Sequence, residues 1–201
     1  MAKLTKLAAI NIVLSNVGQS PVTNIDASNP AIKLAESILD EVTNALQTEQ
    51  WHFNTEQDYP FVPDVTGQIV VPSNLLALDL VPWDERDIVI RGGKLYDKKN
   101  HTYTFSDTLY LDVVWSFDYM DLPEVFKQYV AIRAANLFAG RAVGSTEVVK
   151  YSEREESIAR AACLEYETRQ ADYNIFSDVA GDTSVIHFRP YDAVTRPRRN
   201  I

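Results

Sequence analysis

Three histidines, a single cysteine and a short run of acids are the side chains of this sequence best equipped for chemistry. Their spacing argues against it. His52, His101 and His187 lie far apart, and none stands in an HExxH arrangement, which sets two imidazoles on one helix face for zinc. Each reads as an ordinary surface or core histidine. Cys163 sits within ARAACLEYE, a helical context with no partner histidine to take its proton, and reads as structural. One cysteine leaves no internal disulfide and no cysteine-clustered zinc site. No metal and no cofactor is expected. There is no GxSxG elbow, and RGGK at 91–94 lacks the glycine spacing and the following Ser or Thr of a phosphate-binding P-loop. Asp84, Glu85 and Asp87 form the densest acidic cluster of the middle of the chain. A carboxylate pair roughly 5 to 10 Å apart is enough for glycoside hydrolysis, so a glycan hydrolase is the enzymatic alternative. A solvated loop is the simpler reading of the cluster.

Residues suited to binding are easier to find. Arg91 and Lys94 flank Gly92-Gly93 and should face each other across a hairpin, a mildly unfavourable pairing of like charges. Either they splay into water or the tip meets an anionic surface. Trp83, beside Pro82 and the acidic run, could anchor a protein interface. Trp83, Arg91, Gly92, Gly93 and Lys94 are therefore the candidate interface of the central region. Trp51, Phe53, Trp115, Phe117 and Tyr119 are assigned mostly to the core.

Charge narrows the class of partner. With 19 basic and 28 acidic residues the net charge is -9, the wrong sign for a protein that coats nucleic acid. From Asp182 to Ile201 the balance reverses, with Arg189, Arg196, Arg198 and Arg199 against Asp182 and Asp192, or +2. The remaining 181 residues carry -11. Such a tail is either a disordered end or an arm that orders against an acidic partner.

The elements that must position these residues follow from periodicity. The 201 residues, 46% of them hydrophobic, suffice for a sizeable core. Leu4, Leu7, Ile10, Leu14 and Val17 recur at helical spacing. That favours an amphipathic helix over the secretion signal which Lys3, Lys6 and LAAINIVL superficially resemble. Gly18 should cap it near Val17. Asn29 before Pro30 marks the start of a second helix running to about Gln50, with Ala35, Ile38, Leu39, Val42, Ala45 and Leu46 on its apolar face. From Trp51 the signals turn β-rich. WHFNT, GQIVVP, ALDLV, DIVI, KLYD, TYTF and LYLDVVWSF are candidate strands, and prolines 60, 63, 72 and 82 argue for short or edge strands. Leu109, Leu111, Val113, Trp115 and Phe117 share one face of the last. Helical signals return at Met120, with a capping box across Asp121 and Glu124, and a long final helix reaches about Asp172. No run of about 20 apolar residues could span a membrane.

The fold class is α+β: a helical bundle from 1–50 and 120–174, an inserted antiparallel β domain at 51–119, and an extended tail at 175–201.

Five stretches in order resemble the tail tubular protein A family of short-tailed bacteriophages, the adaptor or gatekeeper proteins. NIVLSNVGQSPV is similar to the family's opening helix and its Gly-x-x-Pro exit, and WHFN to its W-x-F-N. IVIRGGKLYD resembles its glycine-glycine hairpin, MDLPEVFKQYV its M-P-E-x-F helix start, and ARAACLEYE with DYNIF the close of its last helix. The likeness covers about Leu7 to Phe176; the tail beyond has no counterpart. It implies a structural virion protein, not an enzyme, made in the host cytoplasm and placed at the head-tail junction. It further implies a dodecameric ring joining the portal protein to the tail nozzle protein (tail tubular protein B). Tail fibres attach nearby in relatives, and genomic DNA passes through the lumen without specific binding.

Overall fold

The computed structural model describes residues 3–26, 28–80, 84, 86–142 and 146–170. The elements are α1 (Lys6–Ser15), α2 (Pro30–Gln47), β1 (Thr55–Phe61), β2 (Leu75–Leu80), β3 (Ile88–Arg91), β4 (Lys94–Asp97), β5 (Leu109–Trp115), α3 (Glu124–Ala142) and α4 (Thr146–Gln170). The fold is α+β, as the periodicities require.

Helix ends follow local chemistry. Thr5 and Asn29 cap α1 and α2 by accepting from Ala8 N and Ala31 N. After α1, Gly18 takes φ +78°, and Gln19 N and Gly18 N donate to Leu14 O and Ser15 O. That pairing satisfies two carbonyls a helix end would otherwise strand. The capping box expected across Asp121 and Glu124 does not form. Asp121 closes a 3-10 turn (Tyr119–Asp121), and α3 starts only at Glu124, whose Oε1 accepts from Leu4 N at 2.5 Å.

α3 is the hub of the helical part, touching α1, α2 and α4. Its buried face alternates Phe126, Tyr129, Val130 and Phe138 with Ala131, Ala134, Ala135 and Ala139, so neighbouring helices can approach closely. α1 contributes Ala9, Ile10, Val13 and Leu14, and α2 contributes Ile32, Ile38, Leu39, Val42 and Leu46 to the same core. Ala45, expected on the buried stripe of α2, is exposed; Thr43 and Gln47 are buried instead. Thr43 Oγ1 can sit there because it donates to Leu39 O at 2.7 Å.

A second hydrophobic cluster lies among the strands. β5 is the centre of a three-stranded antiparallel sheet of order β1-β5-β2, and β3 pairs with β4 alone. Leu109, Leu111, Val113 and Trp115 turn inward as their alternation predicts and meet Ile69, Ile88 and Leu95 from the smaller layer. Pro60 is tolerated because β1 is an edge strand. WHFNT is a 3-10 turn (His52–Asn54) running into β1, and GQIVVP and TYTF reach the ladder only through single bridges, Val70 to Lys94 and Thr102 to Asp97.

Candidate functional site

The β3–β4 hairpin forms as its glycines dictate. Gly92 at φ +57° and Gly93 at φ +73° make the two-residue turn, with Arg91 and Lys94 as facing partners. The like-charge conflict is resolved by divergence. Arg91 lays its guanidinium over the Tyr96 ring, 4.3 Å from the centroid, while Lys94 Nζ donates to Gln68 Oε1 at 2.7 Å. Tyr96 in turn packs against Tyr103, with centroids 4.7 Å apart.

Alternation puts these residues on one face. Lys94 and Tyr96 lie two apart on β4, Arg91 is opposite Lys94, and the bridged Val70 shares their side. Segment 69–71 extends this layer, since Val71 N donates to Gly93 O and Leu95 N to Ile69 O. Val70 is 63% exposed and Tyr103 40%. The face therefore presents two cations, two tyrosines and a valine; Arg91 makes no ion pair among the described residues, and Lys94 makes none directly, although its charge acts on the Asp64 carboxyl. Its cations and aromatic rings make it a candidate binding surface.

Sequence reasoning found Arg91, Gly92, Gly93 and Lys94 but missed Val70, Tyr96 and Tyr103. The spacing of Lys94 and Tyr96 could have revealed the second. Tyr103 could not be found that way, because a tight turn at 98–101 brings it back. Trp83 lies outside the described residues, as do Arg189, Arg196, Arg198, Arg199 and His187.

The acidic run is dispersed rather than assembled. Arg86 Nε grips both oxygens of Asp84 at 2.9 Å and its Nη1 reaches Asp107 at 3.1 Å, while Asp87 pairs with Lys98 at 2.8 Å. Glu85 lies outside the described residues. The Arg86 hydrogen bonds hold the Asp84 carboxyl below the usual range, opposite to the upward displacement a general acid needs. Burial does push Glu167 up, but its Oε1 is taken by the His52 amide. Cys163 is buried in the helical core with its thiol directed to Val125 O. Among the described residues no three His, Cys, Asp or Glu side chains converge as a metal ion would require, and no helix is long and apolar enough to cross a membrane.

The family model described as tail tubular protein matches residues 7–173, a span that takes in every helix and strand above save the first residue of α1. The chain belongs to the tail tubular protein family. A member of that family, tail tubular protein A of Klebsiella phage KP34, is 30% identical over 154 residues, covering 76% of this chain and 82% of the relative. The chain is thus a structural component of a phage tail and not an enzyme, and the glycan-hydrolase alternative falls away.

Proposed function

We propose that this chain is the ring-forming adaptor that joins the portal to the tail nozzle and lines part of the channel for DNA ejection. The observation that carries the reading is the family match, which runs through the helical and β parts together and so takes in the whole scaffold. In this reading the helical part, 1–50 with 120–174, packs the ring and docks on the portal. The β part, 51–119, faces the nozzle protein, tail fibres attach near that junction, and Trp83, Arg91, Gly92, Gly93 and Lys94 are the candidate interface residues of this part. The acidic body suits a conduit, because negative walls repel the phosphate backbone and let DNA pass without sticking. The tail at 175–201 tethers the subunit through Arg189, Arg196, Arg198 and Arg199, whose guanidinium groups pair bidentately with carboxylates of an acidic portal surface.

Mixing the purified chain with the portal protein and recording mass and symmetry by light scattering and electron microscopy tests the adaptor reading. A stoichiometric ring on the portal is expected; a chain that ignores portal sinks it. Truncation at Asp182 tests the tether separately. It should weaken portal capture and make it more salt-sensitive, and unchanged capture removes the tail from the account.

A further inference from the structure

The outer faces of the two β layers carry opposite charge. The layers share one core, so their outward faces point away from each other. On the small layer the outward residues include Arg91, Lys94, Tyr96, Val70 and Tyr103; at its far end the exposed Asp87 is already matched to Lys98. The three-stranded sheet is the reverse. β1, β2 and β5 contain no lysine or arginine at all; Asp79 and Asp112 stand on the outward side, Asp58 lies in the bulge of β1, and Glu56 is in register with the inward-facing Val113. Asp79 and Asp112 are direct partners in the β2–β5 register, on the same outward side as the half-exposed Tyr110.

Two carboxylates facing each other across antiparallel strands disfavour the sheet unless a cation comes between them. Among the described residues neither has one: there Asp79 Oδ1 accepts only from Leu80 N, at 2.8 Å, and Asp112 Oδ1 from Asp58 N, at 3.1 Å. The bulge responsible for the second bond, with Asp58 at φ +55°, adds another exposed carboxylate beside them. Each outer face thus lacks what the other supplies: cations with aromatic support on one, unneutralised acids with a tyrosine on the other.

We propose that these faces are the two halves of one head-to-tail contact between copies of this chain, Arg91 and Lys94 of one copy meeting Asp79 and Asp112 of the next. A contact between different patches on identical subunits propagates, and it closes into a ring where the rotation allows. The inference rests on the ring reading for that closure and on the charge arrangement for the surfaces.

Sedimentation velocity of the full chain at low salt, over a range of concentrations, tests it without any portal present. The wild-type chain should self-associate, and less so as salt rises. Reversing the basic face (Arg91→Glu with Lys94→Glu) or the acidic face (Asp79→Lys) should each weaken association about tenfold or more. Arg91 and Asp79 are exposed and Lys94 is half-buried, and unaltered circular dichroism checks that both variants fold. An equimolar mixture of the two should associate again, because the reversed face of each fits the reversed face of the other. A wild-type chain that stays monomeric at low salt, or a mixture that fails to recover, overturns the proposal. So does a basic-face reversal that abolishes capture of duplex DNA while leaving self-association intact. Portal capture is read in a separate experiment, so loss of the adaptor reading and loss of this contact are distinguishable.

Discussion

Gln47 and Phe117 exchange two hydrogen bonds across the joint between the helical and β parts. Gln47 Nε2 donates to Phe117 O at 3.0 Å, and Phe117 N donates to Gln47 Oε1 at 2.8 Å. The primary amide of the last α2 residue thus stands in for a strand partner at a point where β5 has run out of neighbours. Asn54 extends the joint, its Nδ2 donating to Gln47 O and to Trp115 O, each at 2.9 Å. Gln47 and Asn54 are both almost wholly buried, so their own amide groups depend on these bonds.

Replacing Gln47 by Leu keeps the volume and removes both bonds, leaving the part-buried carbonyl and amide of Phe117 without these partners. The expected loss is about 3 kcal/mol by urea unfolding. Hydrogen exchange at Phe117 N should accelerate along with it. A variant as stable as the parent would show that the joint is held by apolar packing alone.

Burial pushes the Cys163 thiol up to about 12, with the nearby Arg160 charge opposing and Glu167 assisting. Its thiolate fraction at pH 8 is therefore negligible while the core is intact. Iodoacetamide should leave the folded chain unlabelled and modify it fully in urea. Rapid labelling of the native protein would contradict both the burial and the packing of α4 on α3.

How far the sequence speaks for itself differs from element to element. α2 is legible because Asn29, Pro30 and the stripe from Ile38 to Leu46 are local signals that tertiary packing reinforces. The hairpin at Gly92-Gly93 is legible because few residue pairs other than glycines accept both dihedrals. β5 is legible from its period of two. β1 is not, since Pro60 and the positive φ of Asp58 disguise an edge strand whose bulge exists only against Asp112. The acidic face is equally hidden: Asp79 and Asp112 become partners through a register that β2 and β5 acquire only on pairing. Arg91 and Lys94 were visible as a pair, but their rescue by Tyr96 and Gln68 was not.

α4 is fastened to the bundle through Arg160. Its Nη1 donates to Tyr129 Oη at 3.0 Å and to Glu49 Oε1 at 3.2 Å, and Nη2 lies 2.9 Å from Glu49 Oε2. Both charged side chains are more than a third exposed, so solvent discounts the pair to about 0.5 kcal/mol. A double-mutant cycle with Arg160→Ala and Glu49→Ala should return that coupling and lose it in high salt. Tyr129→Phe should cost more, about 1 kcal/mol, because it also leaves Arg160 with one fewer acceptor in a partly buried site. Coupling that survives high salt would assign Arg160 a packing role instead.

Asp97 supplies the pH dependence. It is 2% exposed, at the end of β4, and its carboxylate accepts from Lys99 N at 2.8 Å, Asn100 N at 3.1 Å and Asn100 Nδ2 at 2.7 Å. Burial works to raise its pKa, but the bonds from Asn100 and Lys99 together outweigh it and hold the carboxyl below the ordinary aspartate value of 3.8. The sign follows from linkage: the unfolded chain takes up the proton first, so the stabilisation is fully present above that value. It is lost as pH falls through the lower, folded-state value. Asp97→Asn replaces one acceptor oxygen with a donor and should cost about 1 to 3 kcal/mol at neutral pH. Because the turn it anchors returns Tyr103 to the Tyr96 ring, the same variant should loosen that stack and weaken self-association together with stability. Thermal unfolding of parent and variant should therefore diverge above pH 4 and converge in stronger acid. A gap of constant size through the acid range would mean that the Asp97 charge contributes nothing to the turn.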